Sequence, residues 1–173
     1  MHPRFASSSL VLASVAAALA WSSPTAAQPK AVERLPTVTV EVALTAAQAA
    51  LAECRKRGAT VAVAVVDRSG VPLAVLRDPL AGMHTPDTAV RKAWTAASFR
   101  SATTDLIAAT APNGPNAGLR HLPGVAVIGG GLMLQSAGSL VGAIGVSGAP
   151  SGELDDVCAR AGIQSILEAL ELG

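Results

Sequence analysis

The chain has no tyrosine, and its two tryptophans and two phenylalanines leave aromatics at 2% of 173 residues. Phe5 and Trp21 stand ahead of Gln28, so Trp94 and Phe99 are the only aromatics beyond it. The core must therefore be Val, Ile, Leu and Ala, side chains small enough to let backbones approach closely. Charge is also scarce, at 14% of residues with a net +1 and no run of Lys or Arg. That excludes a nucleic-acid partner, whose phosphates need a basic face. No membrane-surface helix is apparent either. Cysteine is limited to Cys54 and Cys158, whose spacing fits no metal site. Two readings of them stay open: a disulfide in an oxidising compartment, or two buried thiols acting as small hydrophobes.

What is present is an excess of apolar residues, 50% of the chain. A domain with so few charges keeps apolar surface after folding, which points to a homo-oligomer. At the N-terminus, Arg4, the apolar run Leu10–Ala20 and Thr25-Ala26-Ala27 have the layout of a secretory signal. The order is a positive start, a run too short to span a bilayer, and a small-residue cleavage site. Residues 1–27 are thus expected to be a signal peptide, and the mature protein to be exported, periplasmic or extracellular, with no membrane span. Cleavage at Ala18-Leu19-Ala20 and an uncleaved anchor are the competing readings. Residues 28–43, with Pro29 and Pro36, read as a linker or N-terminal arm, and residues 44–173 as one domain.

Thr45 is placed to cap a first helix over Ala46–Arg57 that Gly58 ends. Thr60–Val66 is β-branched without polar alternation and implies a strand covered on both faces. Asp67-Arg68-Ser69-Gly70 turns the chain into a second strand, Val71–Leu76, giving a hairpin. After the loop Arg77–Met83, Thr85 caps a helix to about Ala102, with Pro86 in the first position and Asp87 against the dipole. Its apolar seam is Val90, Trp94 and Ala97, while Thr88, Arg91 and Thr95 share a second face. Thr104–Thr110 reads as a short helix, and Ala111–Gly118 as a loop long enough to cover something. Val125–Ile128 and Leu132–Gln135 flank Gly129-Gly130-Gly131, and Ser139–Val146 is another strand. Gly152–Leu172 closes the chain as a helix with Glu153, Asp155 and Asp156 in its first turn. No internal repeat interrupts this order, α-β-β-α-(α)-β-β-α. It gives an α/β (α+β) domain, an antiparallel sheet with helices packed against it.

Several constellations have competing readings. Gly129-Gly130-Gly131 lacks the Lys-Ser/Thr of a P-loop and opens no helix, so it reads as a bulge or close backbone packing and not as a phosphate cradle. Gly145-Val146-Ser147-Gly148-Ala149 half resembles a nucleophile elbow, but Pro150 follows and no His comes later, so Ser147 reads as a turn residue. Glu153, Asp155 and Asp156 point apart on one turn and read as complements to the helix dipole, not as a cation site. His84 and His121 lie in loops. Met83-His84-Thr85 immediately precedes the helix bearing Arg91, Lys92 and Thr95. An imidazole ligand and a carboxylate-binding cation then face one pocket about two turns long. Haem needs that combination: an axial donor, an apolar slot and cations for its propionates. The alternative for Arg91 and Lys92 is solvated helix charge.

Three segments, Val65–Gly70, Pro86–Ala96 and Val141–Ala161, are similar to signature segments of the GlcG/HbpS-like proteins, GAIGVSGAPSGELD being the most distinctive stretch. The resemblance spans roughly Thr45 to Leu170. It implies a profilin-like α/β domain that assembles into higher oligomers, often octamers, with haem or a related tetrapyrrole held near the middle helix in some members. It also implies a Thr contact to haem in this helix region, for which Thr85, Thr88 and Thr95 are the candidates, while Met83 and His84 depart from the exported branch of the family. The expected cofactor-binding set is Met83, His84, Thr85, Thr88, Arg91, Lys92, Thr95 and His121. His84 is the expected iron ligand, Arg91 and Lys92 the propionate partners, and the loop carrying His121 a lid. The expected function is haem storage, sensing or handling by an exported homo-oligomer. Its rivals are an iron-dependent haem-degrading or small-organic-acid enzyme, and a cofactor-free accessory of a membrane sensor. No nucleophile triad or acid–base pair is identifiable, so catalysis would have to come from bound iron.

Overall fold

The computed structural model describes residues 30–172, so the signal-peptide reading of residues 1–27 lies outside the described residues. In chain order the elements are α1 (Val40–Lys56), β1 (Ala62–Asp67), β2 (Pro72–Arg77), α2 (Thr85–Phe99), a short α3 (Leu106–Ala109) and a 3-10 helix (Ala117–His121). They continue with β3 (Gly131–Ser136), β4 (Ser139–Ser147), α4 (Gly152–Gln164) and α5 (Leu167–Leu172). The four strands form one antiparallel sheet in the order β2-β1-β4-β3. α1 and α4 pack together on one face, and α2 lies across the other. The element order and architecture expected from the sequence are those observed.

β1 is central, and its alternating side chains enter both layers. Val61, Val63 and Val65 pack with Ala46, Ala50, Cys54 and Cys158, whereas Ala62 and Ala64 join Ala89 of α2. The hairpin after it is fixed by Asp67, whose Oδ1 accepts from the N–H of Ser69 at 2.7 Å and of Val71 at 2.9 Å. β3 and β4 are joined by Ala137 and Gly138, both at positive φ (46° and 76°), the backbone of a two-residue hairpin turn.

Small residues set the distance between α2 and the sheet. Ala89, Ala93, Ala96 and Ala97 are buried against it, and a side chain on Gly145 would run into the Ala89 carbonyl. The expected seam of Val90, Trp94 and Ala97 is therefore corrected. Val90 and Trp94 are half-buried at its margin, with Trp94 lying over Gly70 and Gly124. An alanine ridge over a Gly/Ala floor packs more closely than branched or aromatic side chains allow.

Other boundaries differ locally. α1 begins at Val40 with Thr39 as its cap, not Thr45, because Ala43, Ala46, Ala47 and Ala50 continue one buried stripe. The arm expected over residues 28–43 thus ends in helix, and the Thr45 hydroxyl donates to the Glu41 carbonyl at 3.0 Å. α2 stops at Phe99, before Ala102, where Arg100 turns into the left-handed region at φ 49°. Val125–Ile128 joins no strand; the Ala126 N–H donates to the Thr95 hydroxyl at 2.9 Å. The last helix breaks into α4 and α5 after Gln164, where the Ser165 hydroxyl donates to the Gly162 carbonyl at 2.7 Å.

Cys54 of α1 and Cys158 of α4 form a disulfide, with Cα atoms 5.4 Å apart. Of the two readings left open by the sequence, the link is realised because α1 and α4 lie side by side. On the opposite face, Lys92 of α2 is 2% exposed and its ammonium donates to Asp155 Oδ2 at 2.7 Å and to the Val146 carbonyl at 2.9 Å. The second Asp155 oxygen accepts from the Ala149 N–H at 3.1 Å. Burial pushes the Asp155 carboxyl up from its ordinary value, and the Lys92 ammonium and the Ala149 N–H act against that rise.

Asp156 is buried beside it, accepting from the Gly130 N–H at 2.6 Å and the Thr104 hydroxyl at 2.5 Å. Both acids are therefore internal anchors of α4 as well as helix-start residues. Glu153 alone remains at the surface, held below its ordinary value by its own backbone N–H and then by the Ser151 hydroxyl. The glycine run bears out close packing: a side chain on Gly129 would come within 2.8 Å of the Gly152 backbone, and Gly130 holds φ +114°.

Two stability outcomes follow. A Cys54→Ala/Cys158→Ala variant should lose about 2–5 kcal/mol of unfolding free energy in a urea titration, because the link closes a long loop. Lys92→Met should cost about 3–5 kcal/mol by stranding a buried carboxylate, and adding Asp155→Leu should restore most of the loss. An unchanged urea midpoint for Lys92→Met would show that the pair contributes nothing.

Candidate functional site

The N-terminal half of α2 borders two adjoining cavities, the first of which is floored by the Lys92–Asp155 pair. The first, about 440 Å³, is lined on the α2 side by His84, Thr85, Thr88 and Lys92 and on the other by Ile128 and Ser147–Gly152. The second, about 330 Å³, is lined by Asp87, Thr88, Arg91, Arg120 and Val125–Ile128. Thr88 and Ile128 border both, so the two cavities lie side by side along the helix and are together termed its groove.

Local chemistry explains each placement. His84 occupies the cap position of α2, with Thr85 as the first helical residue and Pro86 following it, so the expected Thr85 cap moves back by one residue. The buried Thr85 hydroxyl donates backwards to the Gly82 carbonyl at 2.7 Å. The Thr88 N–H and hydroxyl both donate to the His84 carbonyl at 3.0 Å, which ties the histidine backbone to the helix and leaves its side chain at the exposed edge of the groove. Arg91, one turn on, pairs with Asp87 at 2.8 Å on a half-exposed surface. Across the second cavity the Arg120 Nε donates to the Thr110 carbonyl at 2.6 Å and its Nη2 to the Ile107 carbonyl at 3.3 Å. Ile128, 53% exposed, supplies an apolar surface between the two cavities.

The structure brings together His84, Thr85, Thr88, Arg91 and Lys92 from the expected set. It does not bring in the other three. Met83 is 95% exposed and lines neither cavity. Thr95 is fully buried, its hydroxyl accepting from Ala126. His121 ends the 3-10 helix at the surface and borders neither cavity. Lys92 is neither a solvated helix charge nor a rim cation, since its ammonium is held under the helix. Its position was in the sequence: Ala89, Lys92, Ala93 and Ala96 fall on one helical face. Arg120, Ile128 and the Ser147–Gly152 rim were not anticipated. Ser147 is the last residue of β4 and 5% exposed, not a turn residue.

The groove thus combines an imidazole, a hydroxyl, two guanidinium groups and an apolar wall above a floor whose charges cancel. No cluster of three or more His, Cys, Asp or Glu suited to a metal ion occurs among the described residues. Such a groove can hold a flat, partly apolar anion and present one nitrogen donor to it.

Comparison with known proteins agrees with this architecture. A family model described as haem degrading protein HbpS-like matches residues 38–164. A crystal structure of a double mutant of HbpS from Streptomyces reticuli is 40% identical, with a TM-score of 0.74 over 82% of this chain and 95% of that one. A crystal structure of a PduOC:haem complex is 32% identical, with a TM-score of 0.71 over 75% of this chain and 95% of that one. The corrinoid adenosyltransferase PduO of Citrobacter freundii is 34% identical over 103 residues, 58% of this chain but only 31% of the enzyme's length. With most of its folded residues inside the matched segment and the same sheet and helix arrangement as these structures, the chain belongs to the haem degrading protein HbpS-like family.

Proposed function

We propose that this protein is an exported, homo-oligomeric haem-binding protein that stores, senses or hands on haem, with the macrocycle seated in the groove along α2. The observation that carries the reading is the pair of adjoining cavities along α2, with the His84 imidazole lining one and the Arg91 and Arg120 guanidinium groups lining the other. The family description and the haem complex of a relative support it. The donor set fits the group: His84 would supply the nitrogen donor to the iron, Thr88 a hydroxyl contact shared by both cavities, and Ile128 with Val125 the apolar wall. Arg91 faces the propionates. Lys92 serves the groove from below, because Asp155 already neutralises it. Bound haem would supply a redox-active iron, while the chain's own residues orient the macrocycle and exclude water from one side of it.

Met83, 95% exposed immediately before His84, and Leu80, 86% exposed in the same loop, leave apolar surface that supports association with a second subunit. The Cys54–Cys158 disulfide supports export, since such links persist in oxidising compartments. Removal of residues 1–27 and a mature chain from Gln28 complete this reading. The family description also favours a second one, breakdown of the bound macrocycle.

Hemin titrated into the purified protein should give a saturable Soret band at micromolar concentration and quench Trp94 fluorescence. His84→Ala should shift the Soret maximum and weaken uptake by about tenfold or more, the scale of losing a ligand-supporting group. Identical spectra for the two proteins would remove His84 from the site. Absence of saturable uptake by the unmodified protein would end the haem reading. Analysis of pigment products after peroxide addition separates breakdown from simple binding.

A further inference from the structure

We infer that Arg120, acting across the groove from Arg91, is the carboxylate-binding residue that makes the protein select flat ligands by an anionic edge and not by the macrocycle alone. The inference rests on the haem reading and deepens it by assigning the anion site. Arg120 belongs to the 3-10 helix Ala117–His121 and lines the second cavity together with Arg91 of α2. Its guanidinium is oriented from behind by the Thr110 and Ile107 carbonyls, which occupy Nε and one hydrogen of Nη2. Nη1 and the remaining Nη2 hydrogen are outside those two bonds, and a guanidinium whose plane is already fixed is suited to a carboxylate.

Charge separates Arg120 from the other cations bordering the groove. Lys92 is neutralised by Asp155 and Arg91 is paired with Asp87, whereas Arg120 has no carboxylate partner among the described residues. An anion entering the second cavity therefore meets one guanidinium already offset and one that is not. The helix rises about 10 Å from His84 to Arg91. That rise places the imidazole and the guanidinium pair at the two ends of the groove, as a central metal and peripheral carboxylates of one planar ligand require. Lys92, expected from the sequence to take the second propionate, is replaced in that role by Arg120.

The test titrates hemin and hemin dimethyl ester into the unmodified protein, Arg120→Gln and Arg120→Lys, following the Soret band and thermal unfolding. The unmodified protein should prefer hemin over the ester by about tenfold, the scale of one charge-assisted hydrogen-bonded contact. Arg120→Gln should lose about tenfold for hemin and nothing for the ester, with the Soret maximum unmoved, and Arg120→Lys should fall between. Equal hemin affinity in Arg120→Gln, or no preference of the unmodified protein for hemin, overturns the assignment. A parallel loss for both ligands with a lowered Tm also overturns it, since Arg120 would then act only by fastening its loop. Failure of the unmodified protein to take up either pigment overturns the haem reading, and this assignment with it.

Discussion

Taking the Lys92 ammonium out of water is costly by several kcal/mol unless a carboxylate and further acceptors accompany it. Asp155 and the Val146 carbonyl meet that demand from two different elements, α4 and β4. The N-terminus of α4 is thereby fixed beneath α2, and Asp156, its neighbour, draws in Gly130 and Thr104 from a third direction. Ser151 and Gly152 consequently stand at the mouth of the groove. Stability and site are joined at this point: the pair that fastens α4 also forms the floor on which a ligand would rest. A floor of cancelled charge leaves attraction of anions to the rim, where the guanidinium groups are.

The scarcity of aromatics shapes the rest. With Gly145 under Ala89 and Ala143 under the same helix, α2 sits too close to the sheet for a ligand to pass between them. The groove lies beside the helix for that reason, walled by the chain between the 3-10 helix and β3. That wall is irregular, and it is tied to α2 by the hydrogen bond from the Ala126 N–H to the Thr95 hydroxyl. The opposite face of the sheet, with α1 and α4, carries the larger aliphatic core and the disulfide.

Short local signals in the sequence specify several of the elements, though not their caps: α1 and α2 are capped at Thr39 and His84 and not at Thr45 and Thr85. The uninterrupted TVAVAVV run specifies a doubly covered strand, Asp67 to Gly70 specify a turn, and Pro86 with Asp87 specify the start of α2. His84, Thr88 and Arg91 follow from that start by helical spacing alone. What escaped depends on distant partners. Asp155 lies 63 residues from Lys92, and beside Glu153 and Asp156 it resembles an ordinary acidic first turn. Arg120 sits in a short 3-10 helix within an otherwise irregular segment, so nothing near it in the chain links it to α2. The start of α1 lies ahead of the expected Thr45 cap because Thr39 also has a capping hydroxyl, and only burial of the alanine stripe from Ala43 onward selects it.

The two cysteines stand 104 residues apart, one on the first helix and the other on the last long one, with all four strands between them in the chain. Their sulfur atoms come together only once the sheet has assembled and both helices have settled on it. The link therefore encloses the whole sheet in one covalent loop, and a chain left reduced and unfolded would expose two thiols to alkylation.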